Sequence, residues 1–411
     1  MREIIAVLVG FSVIPILTRK KVSTAVSIIL SALVMGLLAG LSINTWGQVF
    51  KSTLLDYKKI QQYLTVVEIG ALGVVLKKYN FIEKIIDALN KVVSNKKISI
   101  MLIPALIGLL SVPGGAIISA PFVDKIGEDI GIDKSRRAVI NLIFRHISMQ
   151  VMPYSNGLLM MALLLPQVNV YSVIAFNLIF VAIYCVVGYY LYVKNIPAEL
   201  EAKVVPKTTS NNLSSDLIEL LKYTSPIYFA VILNIVFKVP FFIGVLFNFL
   251  LVYLMHPTKT FIADILKGVN FKVFLTIVGV YLIQGTISQL DDFNSMLVSL
   301  LANQSTLIIS IIGISAVFGL ATGYQPTSLG VILPVLATLP ISVMRMTALG
   351  HVVYMWSFIG YFFSPLHLCQ LFTVEYMCIK NGEVYKRYSK FIIALVVAVL
   401  IENVILLALI K

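Results

Sequence analysis

The chain has 411 residues, of which 59% are hydrophobic and 12% are charged, and its mean hydropathy is +0.95. Soluble domains carry about 25% charged and about 45–50% apolar residues, so this composition excludes a soluble protein and predicts an all-α polytopic membrane protein. The formal net charge of +13 does not indicate nucleic-acid binding. The basic residues lie in short segments between apolar runs, where such charges orient membrane spans.

A polar segment divides the chain near its middle. Residues 194–216 contain Pro197, Pro206 and clusters of Ser, Thr and Asn, which is typical of a linker. The flanking segments, 1–193 and 217–411, have similar lengths, and we predict that they are two repeats. Each carries the same features in the same order: an amphipathic stretch, a glycine-containing break, a histidine in an apolar run, a proline interruption and a long apolar helix.

The glycine-containing breaks interrupt otherwise apolar sequence. The first runs from Ser111 to Pro121 and contains Pro113-Gly114-Gly115, and the second runs from Ala321 to Ser328. Irregular backbone at membrane depth must be buried in protein or line a wet cavity, and matching breaks in two halves indicate a transporter site. We predict two re-entrant helical hairpins, at about 98–123 and about 305–335. For the second, two thin spans are an alternative, because the apolar run around it is long enough.

The distribution of charge predicts the orientation of the chain. Each half is assigned three spans, a hairpin and two more spans, which gives about ten transmembrane helices. With this arrangement most of the 32 Lys and Arg residues fall on one side. The positive-inside rule then places the linker in the cytoplasm and both termini outside the cytoplasmic membrane. Because the second half starts from the side opposite to the first, the repeats are predicted to be inverted.

Candidate substrate-binding residues lie at the breaks and shortly after them. Backbone amides at the tip of a broken helix attract anions, and carbonyls at broken ends can hold Na⁺. Arg145 can bind a carboxylate through two hydrogen bonds, and a histidine can carry a proton. The predicted substrate-binding residues are Gly114, Gly115, Ser119, Asn141, Arg145, His146, Gly323, Thr327, Ser328 and His367.

Three further residues, Glu68, His351 and Glu375, are candidates for ion coupling. Glu68 is the only carboxylate deep in the third apolar run, where it either binds a proton or pairs permanently with Arg145. No cofactor is predicted, and no metal apart from Na⁺ at the hairpin tips. The four histidines are too scattered for a zinc motif, and the three cysteines are predicted to be small apolar fillers.

This pattern predicts a secondary active transporter of a small carboxylate-like anion, coupled to H⁺ or Na⁺. Its partners are the anionic substrate and membrane lipid. A sodium/proton antiporter with Glu68 as the carrier is the closest alternative, and an ion channel is a further one. The chain contains no phosphate-binding Gly-x-x-x-x-Gly-Lys-Ser/Thr loop. It also lacks a Ser/His/Asp arrangement with a nucleophile context, so no enzyme activity is predicted.

Two sequence strings resemble a known family. Pro113-Gly114-Gly115-Ala116-x-x-Ser119-Ala120-Pro121, then Asn141-x-x-Phe144-Arg145-His146 and Pro153, resemble the first-half signature of the integral membrane family called domain of unknown function 401. Ser364-Pro365-Leu366-His367-Leu368-Cys369, with Thr373 and Glu375-Tyr376, resembles its second-half signature. That family is grouped with the ion transporter superfamily, which includes gluconate, citrate, dicarboxylate and arsenite carriers and sodium/proton antiporters.

The resemblance implies an inverted-repeat fold with two re-entrant hairpins, and a homodimer that moves its substrate by an elevator motion. It implies no particular substrate. The chain departs from the family pattern after His146, where Trp and Glu are expected and Ile147-Ser148-Met149-Gln150 stands instead. A carboxylate is therefore missing near the expected site, so a coupling scheme taken from relatives does not transfer directly.

Overall fold

The computed structural model describes residues 1–93, 95–109, 115–196, 213–302 and 304–409. Every regular element in these ranges is a helix, which confirms the predicted all-α class. The predicted linker 194–216 falls largely outside the described residues, and its last part belongs to a helix that begins at Leu213.

The described helices form one series before the predicted linker and one series after it. The first series is α1 (Arg2–Arg19), α2 (Thr24–Ala39), α3 (Ile43–Leu54), α4 (Tyr57–Lys78), α5 (Phe81–Val92), α6 (Lys96–Gly108), α7 (Gly115–Asp129), α8 (Lys134–Arg145), α9 (Ile147–Val151), α10 (Asn156–Leu164) and α11 (Val170–Tyr192). The second series is α12 (Leu213–Phe237), α13 (Phe241–Met255), α14 (Phe261–Gly268), α15 (Phe271–Ile287), α16 (Asp291–Ala302), α17 (Gln304–Thr322), α18 (Gln325–Leu336), α19 (Val343–Phe363), α20 (Leu368–Met377) and α21 (Asn381–Leu409).

Helix boundaries follow from capping residues in the sequence. Ser42, Asp133 and Ser342 precede α3, α8 and α19, and each side-chain oxygen accepts a hydrogen bond from the amide three residues later. These bonds satisfy amides that have no partner within the first helical turn. Gly40 ends α2 in the left-handed conformation, at φ 83°, which a glycine adopts without steric cost.

The two halves are interlocked. Helix α1 packs on α2, and α12 packs on α13 in the same way. Across the halves, α2 packs on α15 while α13 packs on α4. Closer to the breaks, α10 packs on α18 and α20 packs on α7. Each half therefore supplies packing partners to the corresponding helices of the other.

Helix α19 lies at the centre of the molecule, whereas α21 lies at its edge. Every residue of α19 from Met346 to Phe362 is buried. In contrast, Ile393, Ile401 and Val404 of α21 are each more than half exposed. Exposed apolar surface of this extent marks a membrane or partner contact.

Five helical segments are long and apolar enough to cross a membrane: α4, α11, α12, the stretch from α19 through α20, and most of α21. A sixth arises if α14 and α15, which meet at 45°, form one bent span. Shorter apolar helices include α2, α13 and α18. These lengths and compositions are compatible with a multi-pass membrane protein. The count of about ten spans and the re-entrant hairpins stay predictions.

An ion pair between a buried carboxylate and a half-exposed lysine joins the two halves away from the breaks. Asp264 of α14 is 3% exposed, and its carboxylate lies 2.5 Å from Nζ of Lys78 at the end of α4. The hydroxyls of Tyr79 and Thr260 donate to the same carboxylate at 2.8 and 3.0 Å. Since hydrogen bonds to a charged group stabilise a fold more than hydrogen bonds between neutral groups, we expect Asp264→Asn to reduce the melting temperature in detergent.

Asp133→Asn is the matched control for that measurement. Asp133 pairs with Arg387 at 2.8 Å, but both side chains are about half exposed. Burial raises the pKa of the Asp133 carboxyl, yet hydrogen bonds from the Ser135 hydroxyl and the Arg136 amide outweigh this and lower that pKa. An exposed ion pair of this kind contributes about 0–1 kcal/mol. Equal melting temperatures for the two variants would contradict the expectation that Asp264 contributes more to stability than Asp133.

Candidate functional site

A cavity of about 120 Å³ lies between the two halves. At liquid density this volume corresponds to about four water molecules, so it suits an ion or a molecule with few heavy atoms. Among the described residues of its lining, Arg145 is the only Lys or Arg, and there is no Asp or Glu. The lining residues are Gly108, Arg145, His146, Ser148, Met149, Ser155, Asn156, Gly323, Tyr324, Gln325, Pro326, Tyr361, Leu368 and Cys369.

Several helices point their N-termini at this cavity. Helices α10, α18 and α20 begin at Asn156, Gln325 and Leu368, and all three residues line it. The residues that precede these helices make no side-chain capping bond within the described structure. First-turn amides lack partners inside the helix and carry partial positive charge. The first turns of these helices therefore bring partial positive charge to the cavity, in addition to the full charge of Arg145.

Helix C-termini reach the cavity from the other direction. Helix α6 ends at Gly108, α8 ends at Arg145, and α17 ends at Thr322, directly before Gly323. Gly323 has φ 62°, and a Cβ atom there would lie 2.6 Å from Cβ of Leu366, so both its backbone conformation and its surroundings require glycine. Carbonyl groups at such ends carry partial negative charge and can hold a cation.

Arg145 is buried, with 5% of its surface exposed. Its guanidinium lies against the first residue of α7: a Cβ atom at Gly115 would be only 2.2 Å from Nη2. Gly115 and Arg145, which were both predicted to bind substrate, therefore lie next to each other in the structure. Gly114, predicted with them, lies outside the described residues.

Asn141 lies one turn before Arg145 on α8 and connects three helices. Its Oδ1 accepts a hydrogen bond from the Ser119 hydroxyl of α7 at 2.6 Å. Its Nδ2 lies 3.1 Å from the Thr373 hydroxyl of α20 and donates to the Ala116 carbonyl at 3.2 Å. Ser119 and Asn141 thus hold α7, α8 and α20 together next to the cavity and do not line it.

His146 and His367 meet although 221 positions separate them in the chain. Their Nε2 atoms are 3.1 Å apart, and both rings are buried. His146 Nδ1 lies 2.6 Å from the Leu142 carbonyl, and its Nε2 lies 3.2 Å from the Tyr361 hydroxyl. Cys369 completes a cluster whose ligand atoms all lie within 4.8 Å of one another.

The second-half residues Thr327 and Ser328 occupy the first turn of α18. The Ser328 hydroxyl donates to the Ser315 carbonyl at 2.9 Å and lies 2.8 Å from the Ser357 hydroxyl, so it links α17 and α18 to α19. Thr327 is 1% exposed, and its hydroxyl has no hydrogen-bond partner within the described structure. Neither residue lines the cavity; Gln325, at the start of the same helix, does.

The three coupling candidates lie apart from the cavity lining. Glu68 makes no ion pair with Arg145, and its Oε2 is buried with no hydrogen-bond partner in the described ranges. His351 is fully buried and pairs with Glu402 of α21 at 2.9 Å. Glu375 is exposed on α20. The sequence left open a permanent ion pair between Arg145 and Glu68. The described residues contain no such pair.

Eleven of the fourteen described lining residues were not predicted from the sequence. Five of these have side chains that bear on the chemistry of the site: Asn156, Tyr324, Gln325, Tyr361 and Cys369. Four of them directly follow a break, so their distance from Pro153, Gly323 or Pro365 was an available signal. Tyr361 follows no break, and only the fold brings it to the cavity.

A second, smaller cavity of about 20 Å³ adjoins the first. The two share Asn156, Tyr324 and Pro326. The smaller cavity also contacts Gln62 of α4 and Tyr281 of α15, so it lies between these two helices and the pair α10 and α18. Tyr281 donates a hydrogen bond to Gln62, whose amide in turn donates to the Leu159 carbonyl at 2.6 Å.

Comparison with known families gives one result for the whole chain. The profile of the family described as "Protein of unknown function (DUF401)" matches residues 3–410. This match confirms the resemblance carried by the two signature strings, whereas the wider grouping with the ion transporter superfamily stays a prediction. No curated protein matches the chain.

Proposed function

We propose, from the premise that this chain belongs to the DUF401 family, that it is a secondary active transporter of a small carboxylate-like anion. The observation that carries the proposal is the charge of the cavity. Arg145 and three helix N-termini face a volume whose described lining contains no carboxylate. A carboxylate of few heavy atoms accepts hydrogen bonds from both kinds of donor.

The order and packing of the helices support an inverted-repeat architecture. Corresponding helices of the two halves make reciprocal contacts, as α10 does with α18 and α20 with α7. Helices α6 and α7 pack together around the first break, and α17 and α18 pack together around Gly323. We interpret these two pairs as the re-entrant hairpins, entering from opposite sides, in a multi-pass protein of the cytoplasmic membrane.

Coupling to H⁺ or Na⁺ is supported by the helix C-termini at the same cavity. Carbonyls at the ends of α6, α8 and α17 can hold Na⁺, and the paired imidazoles of His146 and His367 can share a proton. We interpret the small cavity beside α4 and α15 as part of a surface along which the helices that carry the site slide in an elevator motion. The proposed transporter is a homodimer.

The sodium/proton antiporter is the second candidate, and one observation favours it. Glu68 is a carboxylate in an apolar helix with a buried oxygen atom that has no hydrogen-bond partner in the described ranges, and such groups commonly carry protons in membrane transporters. Its position away from the lining of the main cavity makes the anion transporter the better supported function.

A thermal-shift screen of the purified protein tests the proposal. Carboxylates are compared with their neutral amide analogues, with EDTA present and with Na⁺ and pH varied. A ligand at a hundredfold excess over its Kd stabilises the folded state by about 2.7 kcal/mol, so a bound carboxylate should raise the melting temperature while its amide does not. If only Na⁺ or pH shifts melting, the antiporter replaces the anion transporter.

A further inference from the structure

Three side chains of types that bind metals, His146, His367 and Cys369, lie close together. His146 and Cys369 line the cavity, and His367 contacts His146. The Nε2 atoms of His146 and His367 lie 3.1 Å apart, and Cys369 Sγ lies within 4.8 Å of both. In a tetrahedral site with Zn–N bonds of about 2.0–2.1 Å and a Zn–S bond of about 2.3 Å, ligand atoms lie roughly 3.3–3.7 Å apart. The side chains therefore need shifts of at most about 1 Å to close around an ion.

The Leu142 carbonyl sets the tautomer of His146. A carbonyl oxygen only accepts hydrogen bonds, so the 2.6 Å contact requires the proton on Nδ1. In the neutral ring, Nε2 then carries a lone pair that points towards His367 Nε2. Metal-binding histidines are oriented in this way, by donating the other ring N–H to a backbone carbonyl. The fold thus presents His146 as a ready ligand.

We propose that His146, His367 and Cys369 bind a transition-metal ion of the Zn²⁺ class, with a fourth coordination position open to the cavity. Two imidazoles and a thiolate suit this class, whereas Mg²⁺ and Ca²⁺ prefer oxygen ligands. On binding, Cys369 forms the S–metal bond as a thiolate and its proton passes to solvent.

Arg145 lies on the same cavity and opposes a bare dication. The Cys369 thiolate and an anion in the fourth position offset that charge, so carboxylate and metal should each strengthen binding of the other. This cooperativity rests on the proposed function. The three protein ligands do not, and metal binding is expected without any transport.

Cobalt titration of the full chain tests the site. A parent carrying Cys185→Ser and Cys378→Ser keeps Cys369 as its one cysteine. We expect one bound Co²⁺ per chain, a thiolate-to-cobalt charge-transfer band, and displacement by Zn²⁺. Cys369→Ser should remove the band, and His367→Gln should weaken Co²⁺ binding by about tenfold or more. The control is His256→Gln, a histidine outside the cluster that contacts Tyr79, and it should change neither.

A second measurement uses no substitution of a metal-binding residue, so a variant that fails to fold cannot affect it. Zn²⁺ should slow maleimide alkylation of Cys369 in the parent, and EDTA should restore the rate. The site is refuted if Co²⁺ binds without the charge-transfer band, if Cys369→Ser binds Co²⁺ as tightly as the parent, or if Zn²⁺ leaves alkylation unchanged. Carboxylate stabilisation measured in EDTA is independent of these outcomes, so failure of the metal site is distinguishable from failure of the transport proposal.

Discussion

Arg145→Gln should weaken carboxylate binding about 10–100-fold and reduce transport in proportion. A hydrogen bond to a charged group contributes about 1.5–3 kcal/mol, and about 1.4 kcal/mol corresponds to a tenfold change in affinity. Glutamine keeps a polar side chain at this buried position but removes the positive charge and the two parallel donors that match a carboxylate. Arg145→Lys keeps the charge without the planar pair of donors, so its carboxylate affinity should lie between those of the wild type and of Arg145→Gln.

Calorimetric affinities and uptake into proteoliposomes measure this effect, with ligand-free melting as a check on folding. Arg387→Gln is the control. It removes the same charge from the half-exposed ion pair with Asp133 and should leave the carboxylate affinity unchanged. Wild-type carboxylate affinity in the Arg145→Gln variant would place the anion somewhere other than this cavity.

Glu68→Gln separates the two candidate functions in the same assays. For the anion transporter, carboxylate binding should survive this change, since Glu68 does not line the cavity. For the antiporter, Glu68→Gln should abolish all transport while Arg145→Gln is tolerated. The two variants therefore give opposite patterns under the two hypotheses.

The sequence predicted where the chain breaks better than it predicted what the breaks bring together. Composition and apolar runs indicated an all-helical chain, and Gly323, Pro153 and Pro365 all lie between helices. These features are local: glycine and proline act on their own backbone and on their neighbours. The matching order of features in the two halves was read from the sequence for the same reason, and the inverted repeat that it predicts stays a prediction.

Contacts across the halves were beyond the reach of sequence reasoning. Each half has a histidine in an apolar run after its glycine-containing break, His146 in the first and His351 in the second. The structure places His351 in the middle of α19, where it pairs with Glu402. The residue that meets His146 is His367, and Cys369, predicted as an apolar filler, lies beside both. Such pairings depend on how distant helices pack, which propensity and periodicity do not encode.

The charge of the cavity follows from how the helices are broken. An unbroken helix carries its terminal partial charges to its ends, at the membrane surfaces. Breaks at 323–324, 152–155 and 364–367 instead bring new N-termini to the cavity, while α6, α8 and α17 end there with their carbonyls. Arg145 adds one full positive charge to this balanced set. The net sign is therefore positive, and a single residue controls it.

The last prediction concerns the packing that positions this residue. In Gly115→Ala, the new Cβ atom would lie 2.2 Å from Nη2 and 2.7 Å from Cζ of Arg145, so the guanidinium must move. Because it is the far end of a flexible side chain, the fold should survive, and alanine is well tolerated at the first position of a helix. We therefore expect an unchanged or slightly higher melting temperature together with roughly tenfold weaker carboxylate binding, since a displaced guanidinium loses at least one charged hydrogen bond. Gly313→Ala, in α17 where a Cβ atom meets nothing within 4 Å, is the matched control and should bind normally. Parallel loss of stability and affinity in Gly115→Ala would instead assign Gly115 to the packing of α7, and unchanged affinity would show that the position of Arg145 does not govern anion binding.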